Sequence, residues 1–225
     1  MEKDKRLYLI PIKDICLANC AFCYMKEKKK DLTKPQRINV NQLEQTLYSI
    51  KDNFNEVEIT GGGDPLIHLQ INEIVNLFRD KYTKLYTNGF LLKPISNLDE
   101  LNISRVHWNS KINNQFYKSN FHNDLEKVLD FYHPLVDKIR IQTILLKGAI
   151  DSKEKLEEFV SKYENKVDEF MFRTLFKSCS LEQDKSISYF DFKHPKVTFD
   201  KTLDNYNRKL YFIGTDCIIH NKFQY

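Results

Sequence analysis

The 225-residue sequence lacks any strong excess of charge: 35 lysines and arginines stand against 31 aspartates and glutamates, a formal net charge of +4. So small a surplus gives no clear footing for a nucleic-acid surface or a membrane-facing patch. It also lacks a run of roughly 18 consecutive apolar residues, the length needed to span a membrane. The charged start MEKDKR has none of the apolar core of a secretory signal. The expectation is a cytoplasmic protein with no membrane partner and no clear nucleic-acid partner. No internal repeat or low-complexity linker divides the chain, and its length suits one domain with a sizeable buried core. Its five cysteines are an odd number and three of them fall within eight positions. Ligation of a metal or cluster therefore outranks a disulfide framework.

Short strand-like runs alternate about six times with amphipathic helical stretches, the rhythm of a parallel α/β sheet with crossover helices. Leu7 to Ile12 is almost continuously apolar, as in a strand covered on both faces. Val57 with Ile59, Leu85 to Thr87, Ile103 to Trp108, Ile139 to Leu146 and Phe170 to Phe176 supply five more strands. Helical faces are predicted around Leu43, Ile74, Val128 and Phe159, with capping boxes at Asn41/Glu44 and Asp151/Glu154. Beyond Lys177 the rhythm fades, leaving only possible strands near Val197 and Tyr211. The domain reading is a core over residues 1–176 and an irregular C-terminal extension or lid over 177–225. The lysines flanking Glu27, from Lys26 to Lys30, read as a solvated loop face, with steering of an anionic substrate as the alternative.

Cys16, Cys20 and Cys23 form C-x3-C-x2-C, a spacing that lets one compact loop offer three thiolates to a cuboidal cluster and leaves one iron open. A closed structural zinc site needs four ligands, and this stretch offers neither a nearby histidine nor a fourth cysteine. Zinc ligation and unligated core thiols are the competing readings.

The loop CLANCAFCYM resembles the signature of the radical S-adenosylmethionine (radical SAM) superfamily, with Phe22 before the last cysteine and Tyr24 after it. The resemblance implies a partial (β/α)6 barrel over about residues 7 to 176, with a [4Fe–4S] cluster on the three cysteines and S-adenosylmethionine chelated by its amino and carboxylate groups to the open iron. It further implies that an electron from an external donor, such as flavodoxin or ferredoxin, cleaves the sulfonium to a 5′-deoxyadenosyl radical. That radical would take a hydrogen atom from a small molecule or a peptide. Families with an auxiliary-cluster domain carry many more cysteines, so no such domain is expected.

Gly61, Gly62, Gly63, Asp64 and Pro65 follow the second strand, where the family has GGEP. Glycines let a ligand approach backbone groups closely, although a tight strand-to-helix turn needs the same residues. Asp64 replaces the usual glutamate, and the GGDPL form resembles activating enzymes of anaerobic ribonucleotide reductase. One alternative is thus an activase that installs a glycyl radical on a partner enzyme; another is a non-catalytic iron–sulfur or zinc module. Asn88 in TNG, Ser110, Gln142 and Arg173 stand at later strand ends where the resemblance predicts S-adenosylmethionine contacts, joining Phe22, Tyr24 and the glycine turn. His107 and Trp108 read as core packing before cavity lining. Cys179 and Cys217 read as ordinary buried thiols, with Cys217 beside Asp216 the candidate catalytic hydrogen donor to a substrate radical.

Overall fold

A computed structural model of the chain describes residues 5–23, 35–175, 190–200 and 210–220. Tyr24, the Lys26 to Lys30 run, Phe176 and Cys179 lie outside them. The sheet is built on strands β1 (Arg6–Leu9), β4 (Glu56–Ile59), β5 (Tyr82–Thr87), β6 (Glu100–Ser104), β7 (Lys138–Ile144) and β8 (Glu169–Arg173), neighbours in that order and all parallel. These are the six strands predicted, in the predicted order. Between them run helices α1 (Val40–Tyr48), α2 (Ile71–Asn76), α3 (Ser110–Tyr117), α4 (Leu125–Tyr132) and α5 (Lys153–Tyr163). Among the described residues none is long and apolar enough to cross a membrane.

The described parts of the C-terminal extension widen this sheet on both sides. Strand β9 (Val197–Phe199) pairs in parallel with β8, and β10 (Leu210–Ile213) in parallel with β1; β11 (Ile219–His220) then runs antiparallel to β10. The strands predicted near Val197 and Tyr211 are therefore present, as sheet edges. The order β11-β10-β1-β4-β5-β6-β7-β8-β9 is open at both ends, a mostly parallel α/β sheet and no closed barrel.

Alternation along each strand sends one set of side chains to each face. Leu7, Val57, Leu85, Leu101, Ile139 and Phe170 are fully or almost fully buried in one core with Leu43, Ile74, Val128 and Phe159 of the helices. The other face is charged. Arg6 reaches Glu56 at 3.2 Å and Glu58 at 3.0 Å, Lys84 pairs with Glu56 at 2.7 Å, and Arg140 bridges Glu100 at 3.1 Å and Glu169 at 2.7 Å. Half-buried charges on this face are thus compensated pairwise, which keeps their desolvation affordable only as a network.

That polar face explains a displaced strand. The apolar run Ile103 to Trp108 predicted the fourth strand, but β6 starts earlier because Glu100 and Asn102, buried at 1% and 0% exposure, are its inward members. His107 and Trp108 lie beyond its end, stacked at 3.9 Å, with Trp108 resting on Phe159. The capping boxes also move. Asn39, not Asn41, caps α1 by accepting from Gln42 N at 3.0 Å, and Ser152 caps α5 while Asp151 accepts from Gly148 N at 2.7 Å.

Candidate active site

Parallel strands bring all their C-terminal ends to one edge of the sheet, and the cysteine loop lies there, leaving β1 at Leu9. A two-stranded hairpin of β2 (Ile12–Lys13) and β3 (Gln36–Arg37) closes the base of this excursion. His68 fixes the same base from below: its Nε2 donates to Ile38 O at 3.1 Å while Nδ1 accepts from Gln70 N at 3.2 Å.

The loop's entry is stitched backbone to backbone onto the glycine turn. Asp14 N donates to Gly62 O at 2.7 Å, Asp64 N donates to Ile15 O at 3.1 Å, and Ile15 and Gly63 form a parallel bridge. A Cβ on Gly62 would stand 2.1 Å from Ile12 O, and one on Gly63 2.0 Å from Ile15 O. Gly62 also has φ +69°. These two positions therefore exclude any side chain, and the reason is close approach of the cysteine loop's own backbone.

Asp64 ties the turn to the next strand. Its carboxylate, 2% exposed, accepts from Leu66 N at 3.1 Å, from Thr87 Oγ1 at 2.8 Å and from Asn88 N at 3.0 Å. Burial pushes this carboxyl above the usual carboxylate range against the pull of those donors. Asn88 completes the connection, since its Nδ2 donates to Cys16 Sγ at 3.5 Å and its Oδ1 accepts from Phe90 N at 2.9 Å. Partial burial pushes the Cys16 thiol up, as do Asp64 and Cys23, while the Ala18 backbone and Asn88 pull it down.

The far side of the loop rests on the end of α3. Asn19 N donates to Tyr117 O at 2.9 Å, Ala21 N to Phe116 O at 3.1 Å, and Ser119 Oγ to Leu17 O at 2.9 Å. Phe22 meets Tyr117 edge-on at 5.2 Å, and with Cys20 it packs on an apolar cluster of Phe90, Val106, Tyr117 and Leu146. Beneath Phe22 opens a cavity of about 90 Å³ lined by Ser104, Gln142, Ile144 and Arg173. Arg173 donates to Gln142 Oε1 at 3.1 Å and approaches Asp200 at 4.0 Å, and among the described residues its buried Nε has no partner. A larger recess of about 190 Å³, between Leu47, Phe54 and Phe78, lies by the N-terminal ends of β4 and β5, the opposite end of the sheet.

The structure thus brings together the cysteine loop, Phe22, the glycine turn, Asp64, Asn88, Gln142 and Arg173. It does not bring Ser110 or Cys217 with them. Ser110 opens α3 and is bonded to Asp124, and the serine lining the cavity is Ser104, which is in register with Gln142. Cys217 is 3% exposed, held at φ +58° under α1, and donates to Asn39 O at 3.6 Å. Burial pushes its thiol up, and it lines neither cavity. A hydrogen donor must meet its substrate radical, and this thiol is enclosed in the core. The sequence reading missed Thr87, Ser104, Tyr117 and Ser119; of these only Thr87 had a signal, as the first residue of TNG.

The chemistry of the donor set, three cysteines within one loop, fits a [4Fe–4S] cluster. Four of the cysteines are described, and all are free thiols. Among the described residues no three Cys, His, Asp or Glu side chains close around a single metal position.

The family model of the Radical SAM superfamily matches residues 10–162. No curated protein matches the sequence. Among solved structures, Streptococcus suis SuiB bound to S-adenosylmethionine superposes with a TM-score of 0.61 at 23% identity, over 77% of this chain and 40% of its own. The structure of anSMEcpe with bound AdoMet and Kp18Cys peptide gives 0.55 at 15% identity, over 75% and 51%. A radical SAM methyltransferase from Sphaerobacter thermophilus gives 0.54 at 14% identity, over 71% and 53%. This chain therefore spans only about half or less of these neighbours' lengths, and at such identities they establish a shared fold. The matched residues make up more than half of the chain and hold the cysteine loop and strands β4 to β7, so the chain belongs to the radical SAM superfamily, whose enzymes use a [4Fe–4S] cluster to cleave S-adenosylmethionine.

Proposed function

We propose that Cys16, Cys20 and Cys23 hold the [4Fe–4S] cluster, and that the strand ends around them bind S-adenosylmethionine for hydrogen-atom abstraction from a small molecule or a peptide. One observation carries this reading: the cysteine loop is bonded through its backbone to the Gly62–Gly63–Asp64 turn, with the Asn88 amide on the Cys16 sulfur. When bound and reduced, the cluster and S-adenosylmethionine together supply a one-electron cleavage that yields the 5′-deoxyadenosyl radical.

The chain's own residues prepare that site. Asn88 donates to the sulfur and favours the thiolate needed for ligation. The edge-on contact of Phe22 with Tyr117 anchors the loop's inner side on the apolar cluster. Arg173, already bonded to Gln142 and with its Nε unpartnered, is suited to a carboxylate at the cavity rim. Its approach to Asp200 supports a part for the extension, residues 177–225, in walling the cavity. A peptide substrate gains support from the peptide bound in the anSMEcpe structure. An external one-electron donor such as flavodoxin or ferredoxin completes the system.

The test is anaerobic reconstitution with iron and sulfide, followed by reduction in the presence of S-adenosylmethionine. Release of 5′-deoxyadenosine and methionine supports the proposal. Binding of zinc, with neither iron nor S-adenosylmethionine taken up, makes the loop a structural module instead.

A further inference from the structure

Arg105 is the largest of the fully buried side chains, at 1% exposure, one residue beyond the end of β6. Among the described residues its guanidinium donates once, from NH2 to Asn123 O at 3.0 Å, and lies 5.6 Å from the centre of the Phe90 ring. Its Nε is buried without a partner, and among the described residues it forms no ion pair. Asp124 acts on it only at longer range and is itself held by Ser110. An uncompensated cation in a low-dielectric interior is strongly unfavourable unless a negative charge answers it. Burial indeed pulls this guanidinium below its ordinary range.

The missing anion is identified by what lies beyond Phe90. Phe90 meets Tyr117 edge-on at 5.5 Å, and Tyr117 meets Phe22 edge-on at 5.2 Å. Cys20 packs on the same cluster. The buried Tyr117 feels the charges of Cys20 and Cys16 as well as that of Arg105. The buried rings of Phe90 and Tyr117 therefore lie between the cation and Phe22 of the cysteine loop.

We propose that Arg105 is a built-in counter-charge for the cluster, a fixed cation behind Phe90 and Tyr117 that favours the one-electron-reduced form. This rests on the reading that Cys16, Cys20 and Cys23 hold that cluster. Arg105 touches neither cofactor nor substrate and acts through its field. Reduction brings one electron from the external donor and one negative charge to the site; no bond changes at Arg105 and no proton leaves it.

The experiment titrates the anaerobically reconstituted full chain with dithionite and redox mediators, reading the reduced cluster by electron paramagnetic resonance. Arg105→Met should shift the midpoint to more negative potential. At the wild-type midpoint its reduced-to-oxidised ratio should fall about tenfold, which is about 59 mV for a one-electron couple. Arg105→Lys should stay near wild type because it keeps the charge. Asn123→Ala should too, since it loses the side-chain bonds to Gly89 O and Phe90 O but leaves the cation in place. The cluster-free Arg105→Met protein should unfold at no lower temperature than cluster-free wild type, because an unpaired buried charge has been removed. A loaded Arg105→Met protein with the wild-type potential overturns the proposal. So does an equal shift in Asn123→Ala, or an Arg105→Met chain that does not fold, since either makes the role one of packing. Wild-type protein that takes up no four-iron cluster fails earlier, at iron analysis, and removes the cysteine reading with it.

Discussion

The side-chain amide of Asn88 donates to the sulfur of Cys16 at 3.5 Å, joining residues 72 positions apart, one just past the C-terminal end of β5 and one in the loop that follows β1. Because the same side chain accepts from Phe90 N, its amide cannot turn without losing both bonds. Asn88→Asp replaces the donor with a carboxylate facing a thiolate, and should lower iron loading several-fold. Asn88→Ala removes only the donor and should load nearly fully but lose iron faster in air. Iron and sulfide per chain, followed over time, read both outcomes.

The glycine turn predicts a graded series. Gly61→Ala places its Cβ at an ordinary 3.6 Å from Ile10, so its cost is that of a positive φ, roughly 1 kcal/mol. Gly62→Ala and Gly63→Ala drive a methyl into the carbonyls of Ile12 and Ile15 and should cost roughly 3 kcal/mol or more by shifting backbone. They should also lose cluster loading, because the displaced segment carries Cys16. Urea unfolding and iron content in the three variants check the order.

How much of this was legible in the sequence follows from what each signal depends on. Six parallel strands and helices α1, α2, α4 and α5 were readable because apolar patterning is local, and the cysteine spacing and glycine triplet because they are contiguous; α3 was not, since Ser110–Tyr117 reads as a polar loop. Strand β6 was misplaced because Glu100 and Asn102 are buried on a charged face, where Arg140, Lys138, Tyr82 and Asn102 all reach the Glu100 carboxylate. The close packing of Gly62 on Ile12 depends on residues 50 positions away and left no local mark. Ser104 was overlooked for Ser110 for the same reason, since its place at the cavity follows from its register with Gln142.

His107 supplies a pH-dependent prediction. Burial holds its imidazole down, with Lys155 acting the same way, to about 4 from an ordinary 6.5. The folded state thus binds fewer protons than the unfolded one between those values, so stability rises with pH across the window. The contribution is complete above about pH 6.5 and is lost as pH falls toward 4, amounting to at most roughly 3 kcal/mol. His107→Phe keeps a ring against Trp108 and should remove this slope. Denaturant unfolding of the cluster-free protein between pH 4 and 7, compared with the variant, measures it.

Cys217→Ala separates the buried thiol from the chemistry. The thiol packs in the core and donates to Asn39 O, so its removal should cost about 1–2 kcal/mol of stability. Cleavage of S-adenosylmethionine per loaded cluster should be unchanged. A variant of normal stability that has lost turnover on substrate would restore Cys217 as a hydrogen donor.

We propose above all that the loop of Cys16, Cys20 and Cys23 carries the reducing centre. The most direct measurement is 5′-deoxyadenosine released from S-adenosylmethionine by the reduced, reconstituted protein, beside a variant with all three cysteines changed to alanine. The account predicts slow release by wild type even without substrate, and none by the variant, which should retain no four-iron cluster. Release unchanged in the variant, or absent from wild type despite a full cluster and bound S-adenosylmethionine, would contradict it.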